Sequence, residues 1–137
     1  LRLSRGLGDV YKRQVFGEPA SKANSRRLVT IKGRPAFIKS DKAIKYLKLF
    51  GEQCPDLDVK YEEDVRVDIV VYYASRRPDL DESVILDAMQ GKVYKNDRQV
   101  KEKHIWWGLD RGNPRAVIRV SSVEGSNCPE YLRPEQT

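Results

Sequence analysis

Two aspartates, Asp79 and Asp81, stand two residues apart just after the clearest strand pattern in the chain. If the chain is extended here, as Pro78 favours for the residue before it, both carboxylates point to the same side. Two converging carboxylates repel each other, and a hard divalent cation that coordinates oxygen relieves this repulsion. Arg76 and Arg77 precede them and suit a phosphate-bearing ligand. The segment therefore predicts a metal site that binds a phosphate-bearing ligand. The alternative is a solvated acidic turn.

The elements around this segment are predicted to bring a third aspartate close to the first two. Before it, apolar residues occupy every second position over residues 65–73, the period of a half-buried strand. After it, the sequence predicts a short helix over 82–90, followed by a tight turn that carries Asp97. A helix of two to three turns followed by a reversal can return Asp97 toward Asp79 and Asp81.

Three pieces of this region resemble one protein family. They are residues 77–81 (Arg-Pro-Asp-Leu-Asp), 86–94 (Leu-Asp-Ala-Met-Gln-Gly-Lys-Val-Tyr) and 96–100 (Asn-Asp-Arg-Gln-Val). In this order and spacing they resemble the core of the RusA family of Holliday junction resolvases, small endodeoxyribonucleases common in bacteriophages and prophages. Residues 17–22 (Gly-Glu-Pro-Ala-Ser-Lys) resemble the segment near the N-terminus of that family. The similarity covers residues 15–122.

The resemblance implies a two-layer α+β fold, with a mixed or antiparallel sheet and two main helices. It further implies a homodimer and Mg²⁺-dependent cleavage of branched DNA, the four-way junction. It places the catalytic, metal-binding aspartates at Asp79, Asp81 and Asp97. Three departures bear on activity: Asn96 stands where an acid is usual, Glu82 stands where Asn is common, and the lysine usual in the helix is missing. They support one alternative, a catalytically impaired DNA-binding module of the same fold. A second alternative, a metal nuclease acting on other branched DNA, stays open because the shape of the junction is read by the surface of the dimer.

Basic residues around the predicted site are candidates for binding the DNA backbone. The net charge of +6 favours a polyanionic partner. Phosphate oxygens receive most protein–DNA hydrogen bonds, and arginine and lysine suit them. The DNA-binding candidates are Lys22, Arg26, Arg27, Arg76, Arg77 and Arg98. For those in the segment 17–27, an ordinary polar loop is the alternative.

The length of 137 residues predicts one domain. Residues 1–14 show no clean period and are predicted to be a non-native or disordered flank, with a basic DNA-binding arm as the alternative. With this boundary, only Val15 and Phe16 remain of the first strand of the family fold. Residues 15–123 form the predicted endonuclease domain, and residues 124–137 are predicted to be a flexible tail.

Composition excludes several other classes of protein. The sequence has no run of about 18 apolar residues that would span a membrane, and no signal peptide is visible. Cys54 and Cys128 lack the spacing of a zinc site, and only His104 is present to join them. We therefore expect reduced thiols and a cytoplasmic protein of a bacterium or a phage-infected cell.

The remaining elements support the predicted site. Strands over 28–31 and 36–39 are predicted to form a hairpin with a four-residue turn between them. Ser40 is predicted to cap a helix over 41–53. The apolar stripe of that helix is predicted to contain Ile44 and Leu47, with Tyr46 and Phe50 beside them.

Two further strands complete the predicted sheet. A strand over 99–107 carries Trp106 and Trp107, which face opposite sides because they are adjacent. One of them is predicted to lie in the core, and the other at the surface, at a partner subunit or near DNA. The last strand, over 116–120, is predicted to pair antiparallel with this tryptophan strand.

Overall fold

The computed structural model describes residues 10–21, 26–123 and 129–132, so that Lys22, Cys128 and residues 1–9 lie outside the described residues. The described residues confirm the α+β prediction, with a mixed four-stranded sheet, a separate two-stranded sheet and two α-helices. In chain order, the elements are β1 (Tyr11–Phe16), β2 (Arg26–Ile31), β3 (Arg34–Lys39), α1 (Asp41–Gln53), β4 (Val65–Tyr73), α2 (Ser83–Met89), β5 (Val100–Leu109) and β6 (Arg115–Ser122).

The four-stranded sheet has the strand order β1-β6-β4-β5. Strand β4 pairs antiparallel with β6 on one side and parallel with β5 on the other. The predicted pairing of the last strand with the tryptophan strand is therefore wrong. A connection that contains a helix allows parallel neighbours, and α2 lies in the connection between β4 and β5. Strand β6 consequently occupies the other side of β4.

Strand β4 forms the centre of the core because its side chains alternate. Its odd-numbered residues, from Val65 to Tyr73, are at most 1% exposed, whereas the residues between them are half-buried. Both helices cover the buried face of the sheet, and each such side chain contributes about 1.5–3 kcal/mol of hydrophobic stabilisation. The helices contribute Ala43, Tyr46 and Phe50 from α1 and Val84, Ile85, Ala88 and Met89 from α2.

Strand β1 is longer than predicted. It begins at Tyr11 and pairs antiparallel with β6 along its whole length, so the prediction that only Val15 and Phe16 remain of it is wrong. Tyr11 and Val15 are buried, and this spacing places both side chains on the helix-covered face. Gly17 ends the strand with a φ of +114°, and a Cβ there would lie 2.4 Å from Leu49 Cδ2.

The hairpin of β2 and β3 turns through two residues instead of the predicted four. Lys32 and Gly33 have φ values of 51° and 78°. Two consecutive residues with positive φ form the tight turn whose twist matches that of a hairpin. The strands therefore extend to Ile31 and Arg34, directly at the turn.

Helix α1 has the predicted bounds, and Ser40 Oγ accepts the predicted capping hydrogen bond from Ala43 N at 3.2 Å. Its predicted apolar stripe is right for Tyr46 and Phe50, which are buried. It is wrong for Ile44, which is 53% exposed. The inward position next to it belongs to Ala43, a residue small enough to let the helix approach the sheet.

Neither tryptophan is buried, so the prediction of one core tryptophan is wrong. Trp106 is 50% exposed and Trp107 is 36% exposed. Both lie on β5, an edge strand with a neighbour on one side only.

No α-helix in the described part of the chain has the length and apolar character to cross a membrane.

Candidate active site

Two aromatic side chains hold the loop that carries Asp79 and Asp81. The hydroxyl of Tyr73 donates a hydrogen bond to the carbonyl oxygen of Asp79 at 3.2 Å and accepts one from the N–H of Asp81 at 3.3 Å. Trp107 Nε1 donates to the carbonyl oxygen of Pro78 at 3.1 Å, and its ring stacks on Tyr73 with centroids 6.0 Å apart. The last residue of β4 and a residue of β5 therefore fix the position of the loop.

The carboxylate of Asp81 is buried, and no described residue provides it with a cationic partner. The residue is only 9% exposed, and Oδ1 accepts a hydrogen bond from the N–H of Ser83 at 3.0 Å. Asp79 is exposed beside it. Among the described residues, no lysine or arginine forms an ion pair with either aspartate. Because buried carboxylates are normally paired or coordinate a metal, this donor set fits a divalent cation.

A third carboxylate, that of Glu18, lies at the same end of the sheet. Its Oε2 accepts a hydrogen bond from the N–H of Ala74 at 3.2 Å, at the start of the aspartate loop. Sequence reasoning missed this residue as a functional candidate, because its contact joins positions 56 residues apart. The only available signal was its place in the 17–22 segment that resembles the family.

Burial raises the pKa of the Tyr73 hydroxyl. The negative charges of Asp81, Glu18 and Glu82 raise this pKa further, while the hydrogen bond from the Asp81 backbone lowers it in part. The Tyr73 hydroxyl is therefore neutral at physiological pH and can donate its hydrogen bond to the carbonyl oxygen of Asp79. Of these carboxylates, Glu82 has a cationic partner, since its Oε1 accepts from Lys103 Nζ at 2.8 Å.

Asp97 lies near the opposite end of α2. Its N–H donates to the side chain of Gln90, the C-terminal cap of α2, at 3.1 Å. Partial burial of the carboxyl group raises the pKa of Asp97, although much of the residue is exposed. A hydrogen bond with Tyr94 lowers this pKa in part, and the negative charge of Asp87 raises it.

Asn96, which replaces an acid usual in the family pattern, has a structural role. Its side chain accepts a hydrogen bond from the N–H of Arg98 at 2.9 Å and caps a short 3₁₀ turn, Asp97–Gln99. The side-chain oxygen Oε1 of Gln99 accepts a hydrogen bond from the N–H of Asn96 at 2.9 Å, which completes a capping box. Asn96 thus orders the turn that presents Asp97.

The chain path separates Asp97 from the other two predicted ligands. Asp81 precedes α2, whereas Asp97 contacts its C-terminal cap, and a seven-residue helix is about 10 Å long. Within the described residues, no three His, Cys, Asp or Glu side chains lie close enough to hold one metal ion. The structure thus places Asp79 and Asp81 on one loop held by Tyr73, and the sharing of one ion with Asp97 stays a prediction.

The basic candidates that the structure describes are accessible to a DNA backbone. Arg76 and Arg77 are exposed in the aspartate loop, and Arg98 is exposed in the 3₁₀ turn. Arg26 and Arg27 are exposed at the start of β2. Lys22, the sixth candidate, lies outside the described residues.

Fold and site together define a two-layer α+β protein that gathers carboxylates on one loop at the end of its central strand. The family model for Endodeoxyribonuclease RusA matches residues 17–121. The chain therefore belongs to the RusA endodeoxyribonuclease family, which confirms the resemblance seen in its sequence. A search of curated proteins found no match.

Proposed function

We propose that this protein is a Mg²⁺-dependent endonuclease of the cytoplasm that resolves Holliday junctions in DNA recombination and repair by paired phosphodiester hydrolysis. Family membership supports the endonuclease class. The single observation that carries the metal requirement is the buried carboxylate of Asp81, which lies beside the exposed Asp79 and has no cationic partner in the part of the chain that the structure describes. Mg²⁺ binds proteins through one or two carboxylates and fills its remaining positions with water and substrate phosphate.

In this proposal, Asp79 and Asp81 hold the metal ion, and Asp97 is the third catalytic carboxylate. When bound, Mg²⁺ supplies an activated water, a polarised phosphate and stabilisation of the leaving oxygen. The exposed Arg76 and Arg77 bind phosphate oxygens beside the carboxylates. These residues orient the scissile phosphodiester, which is the part of catalysis that depends on positioning.

We propose that the active form is a homodimer. A four-way junction presents two symmetry-related strands, and resolution requires a cut in each. A two-fold dimer places two identical sites with the matching symmetry.

The test compares cleavage of a synthetic four-way junction with that of a linear duplex, in Mg²⁺ and in EDTA. We expect paired, symmetric nicks in the junction alone, lost in EDTA and in Asp81→Asn. Asp56→Asn is the matched control, because Asp56 is an exposed aspartate that pairs with Lys92 at 2.8 Å. Tight junction binding without cuts under any divalent metal would contradict the enzyme proposal and favour a DNA-binding module.

A further inference from the structure

The β2–β3 hairpin, residues 26–39, is a two-stranded sheet separate from the main one. It contains five basic residues and no Asp or Glu, in a chain whose net charge is +6. The basic residues are Arg26, Arg27, Lys32, Arg34 and Lys39. The hairpin therefore concentrates positive charge on a short arm.

The outer face of this arm carries an exposed apolar pair. Leu28 and Phe37 are directly opposite in the register of the hairpin, and they are 61% and 74% exposed. Opposite side chains of paired strands lie within contact distance of each other, so the two form one patch. Val29 and Ile38, which point to the other face, are half-buried. The pair is thus not used to pack the hairpin onto the rest of the chain.

The base of the arm lies beside α2, the helix that follows the aspartate loop. Lys39 Nζ is 4.0 Å from Asp87 Oδ2 on α2, the helix between Asp81 and Asp97. Strands of six residues extend about 20 Å from that point. A ligand bound along the hairpin would therefore reach α2, the helix that follows the aspartate loop.

The charge around the apolar pair decides what kind of partner it fits. Arg26 and Lys39 share the face of the apolar pair, whereas Arg27 and Arg34 point to the other face. A second hairpin packed on this face would bring together two basic arms that contain no Asp or Glu of their own. DNA offers phosphates to the basic residues and base faces to the apolar pair. In a linear duplex the base faces are stacked on one another, whereas the open, unstacked form of a branch point exposes some of them.

We propose that the β2–β3 hairpin is a branch-recognition arm, whose basic residues bind phosphates while Phe37 and Leu28 pack against a base face exposed at the branch point of the DNA. The inference rests on the proposed function, because branched DNA is the substrate proposed there. It adds the surface that distinguishes branched from linear DNA.

The test measures binding of a fluorescent four-way junction and a matched linear duplex by anisotropy in EDTA, so that cleavage plays no part. Phe37→Ala is expected to weaken junction binding by about 5- to 150-fold, the effect of losing one stacked base. Duplex binding is expected to stay unchanged. Phe37→Trp is expected to keep the junction preference, because a larger ring stacks at least as well. Tyr131→Ala, at an aromatic residue that is 85% exposed, is the matched control and is expected to bind as wild type.

Two further measurements separate stacking from charge. With 2-aminopurine at the branch point, wild type is expected to change the emission of the base, and Phe37→Ala is expected to leave it unchanged. Arg34→Gln is expected to weaken binding to junction and duplex alike and to reduce the salt dependence by about one phosphate contact.

The outcomes distinguish failure of this inference from failure of the proposed function. If wild type prefers the junction but Phe37→Ala binds it equally well, the inference is overturned and the proposed function stands. If wild type shows no junction preference, the proposed substrate and this inference fall together. If Phe37→Ala converts a dimer to a monomer in sedimentation, the pair is a contact between copies and the inference is overturned. Phe37→Leu keeps an apolar side chain of similar size but removes the aromatic ring. This variant is expected to lose the preference for the junction, and a preference equal to that of wild type would overturn the role of the ring.

Discussion

Substitution of Tyr73 by phenylalanine tests whether one hydroxyl group positions the candidate metal ligands. Phenylalanine keeps the ring, which is fully buried and stacks on Trp107. It removes two hydrogen bonds, to the carbonyl oxygen of Asp79 and from the N–H of Asp81. The backbone of the aspartate loop then loses its link to the end of β4.

The structure sets the size of this effect. A hydrogen bond contributes about 0.5–1.5 kcal/mol net, so two account for about 1–3 kcal/mol. If the loss falls on the loop geometry needed for cleavage, the rate falls about 5- to 150-fold. Junction affinity in EDTA is expected to stay unchanged, because the hydroxyl is buried. The Mg²⁺ concentration needed for half-maximal cleavage is expected to rise, since Asp79 and Asp81 are no longer held in register.

Tyr61→Phe provides the matched control for this experiment. Tyr61 is also fully buried, and its hydroxyl donates to the carbonyl oxygen of Val120 at 3.2 Å, away from the aspartate loop. We expect Tyr61→Phe to lower the free energy of unfolding while cleavage keeps its wild-type Mg²⁺ dependence. If Tyr73→Phe and Tyr61→Phe give the same Mg²⁺ dependence as wild type, the positioning role of Tyr73 is refuted.

Two further predictions concern acidic residues at either end of the site. Glu18→Gln is expected to raise the Mg²⁺ concentration needed for half-maximal cleavage by about tenfold, because it weakens one charge-assisted hydrogen bond. Junction binding in EDTA is expected to stay unchanged, and a Mg²⁺ titration equal to that of wild type would contradict this prediction. Asp97→Asn is expected to abolish cleavage yet to match or exceed wild type in thermal stability at neutral pH. Burial raises the pKa of Asp97 in the folded state, so its contribution to stability is present at acidic pH and is lost as pH rises through that pKa. The difference in thermal stability between wild type and Asp97→Asn should therefore shrink below about pH 3.9, the usual pKa of aspartate. Thermal melts in which this difference does not change with pH would contradict a raised pKa of Asp97 in the folded protein.

Local patterns in the sequence correctly predicted the secondary-structure elements that are determined by neighbouring residues in the chain. The alternation of β4 reflects one buried face, and its bounds need no knowledge of its neighbours. Helix α1 followed from the cap at Ser40 and from its apolar period. Asp79 and Asp81 were placed correctly at the end of β4 because they follow that strand directly in the chain.

Features that depend on distant contacts were not predictable in this way. Local sequence patterns do not indicate which strand β6 pairs with, because its pairing with β4 links residues about fifty positions apart. The exposure of Trp106 and Trp107 follows from the edge position of β5, which is a property of the whole sheet. The distance of Asp97 from Asp81 has the same origin, since the first residue of β5 pairs with the first residue of β4, far from the aspartate loop.

The strand order β1-β6-β4-β5 has a consequence for synthesis of the protein. Of the four strands of this sheet, β6 is the last to leave the ribosome, yet it separates β1 from β4, two strands completed much earlier. Until Arg115–Ser122 emerges, β1 has no strand to pair with and β4 keeps one unpaired edge. Sheets closed by such long-range pairings fold slowly and expose aggregation-prone edges while they wait. We therefore expect nascent chains that stop before Arg115 to be unfolded and readily degraded, and the sheet to close only after synthesis of β6.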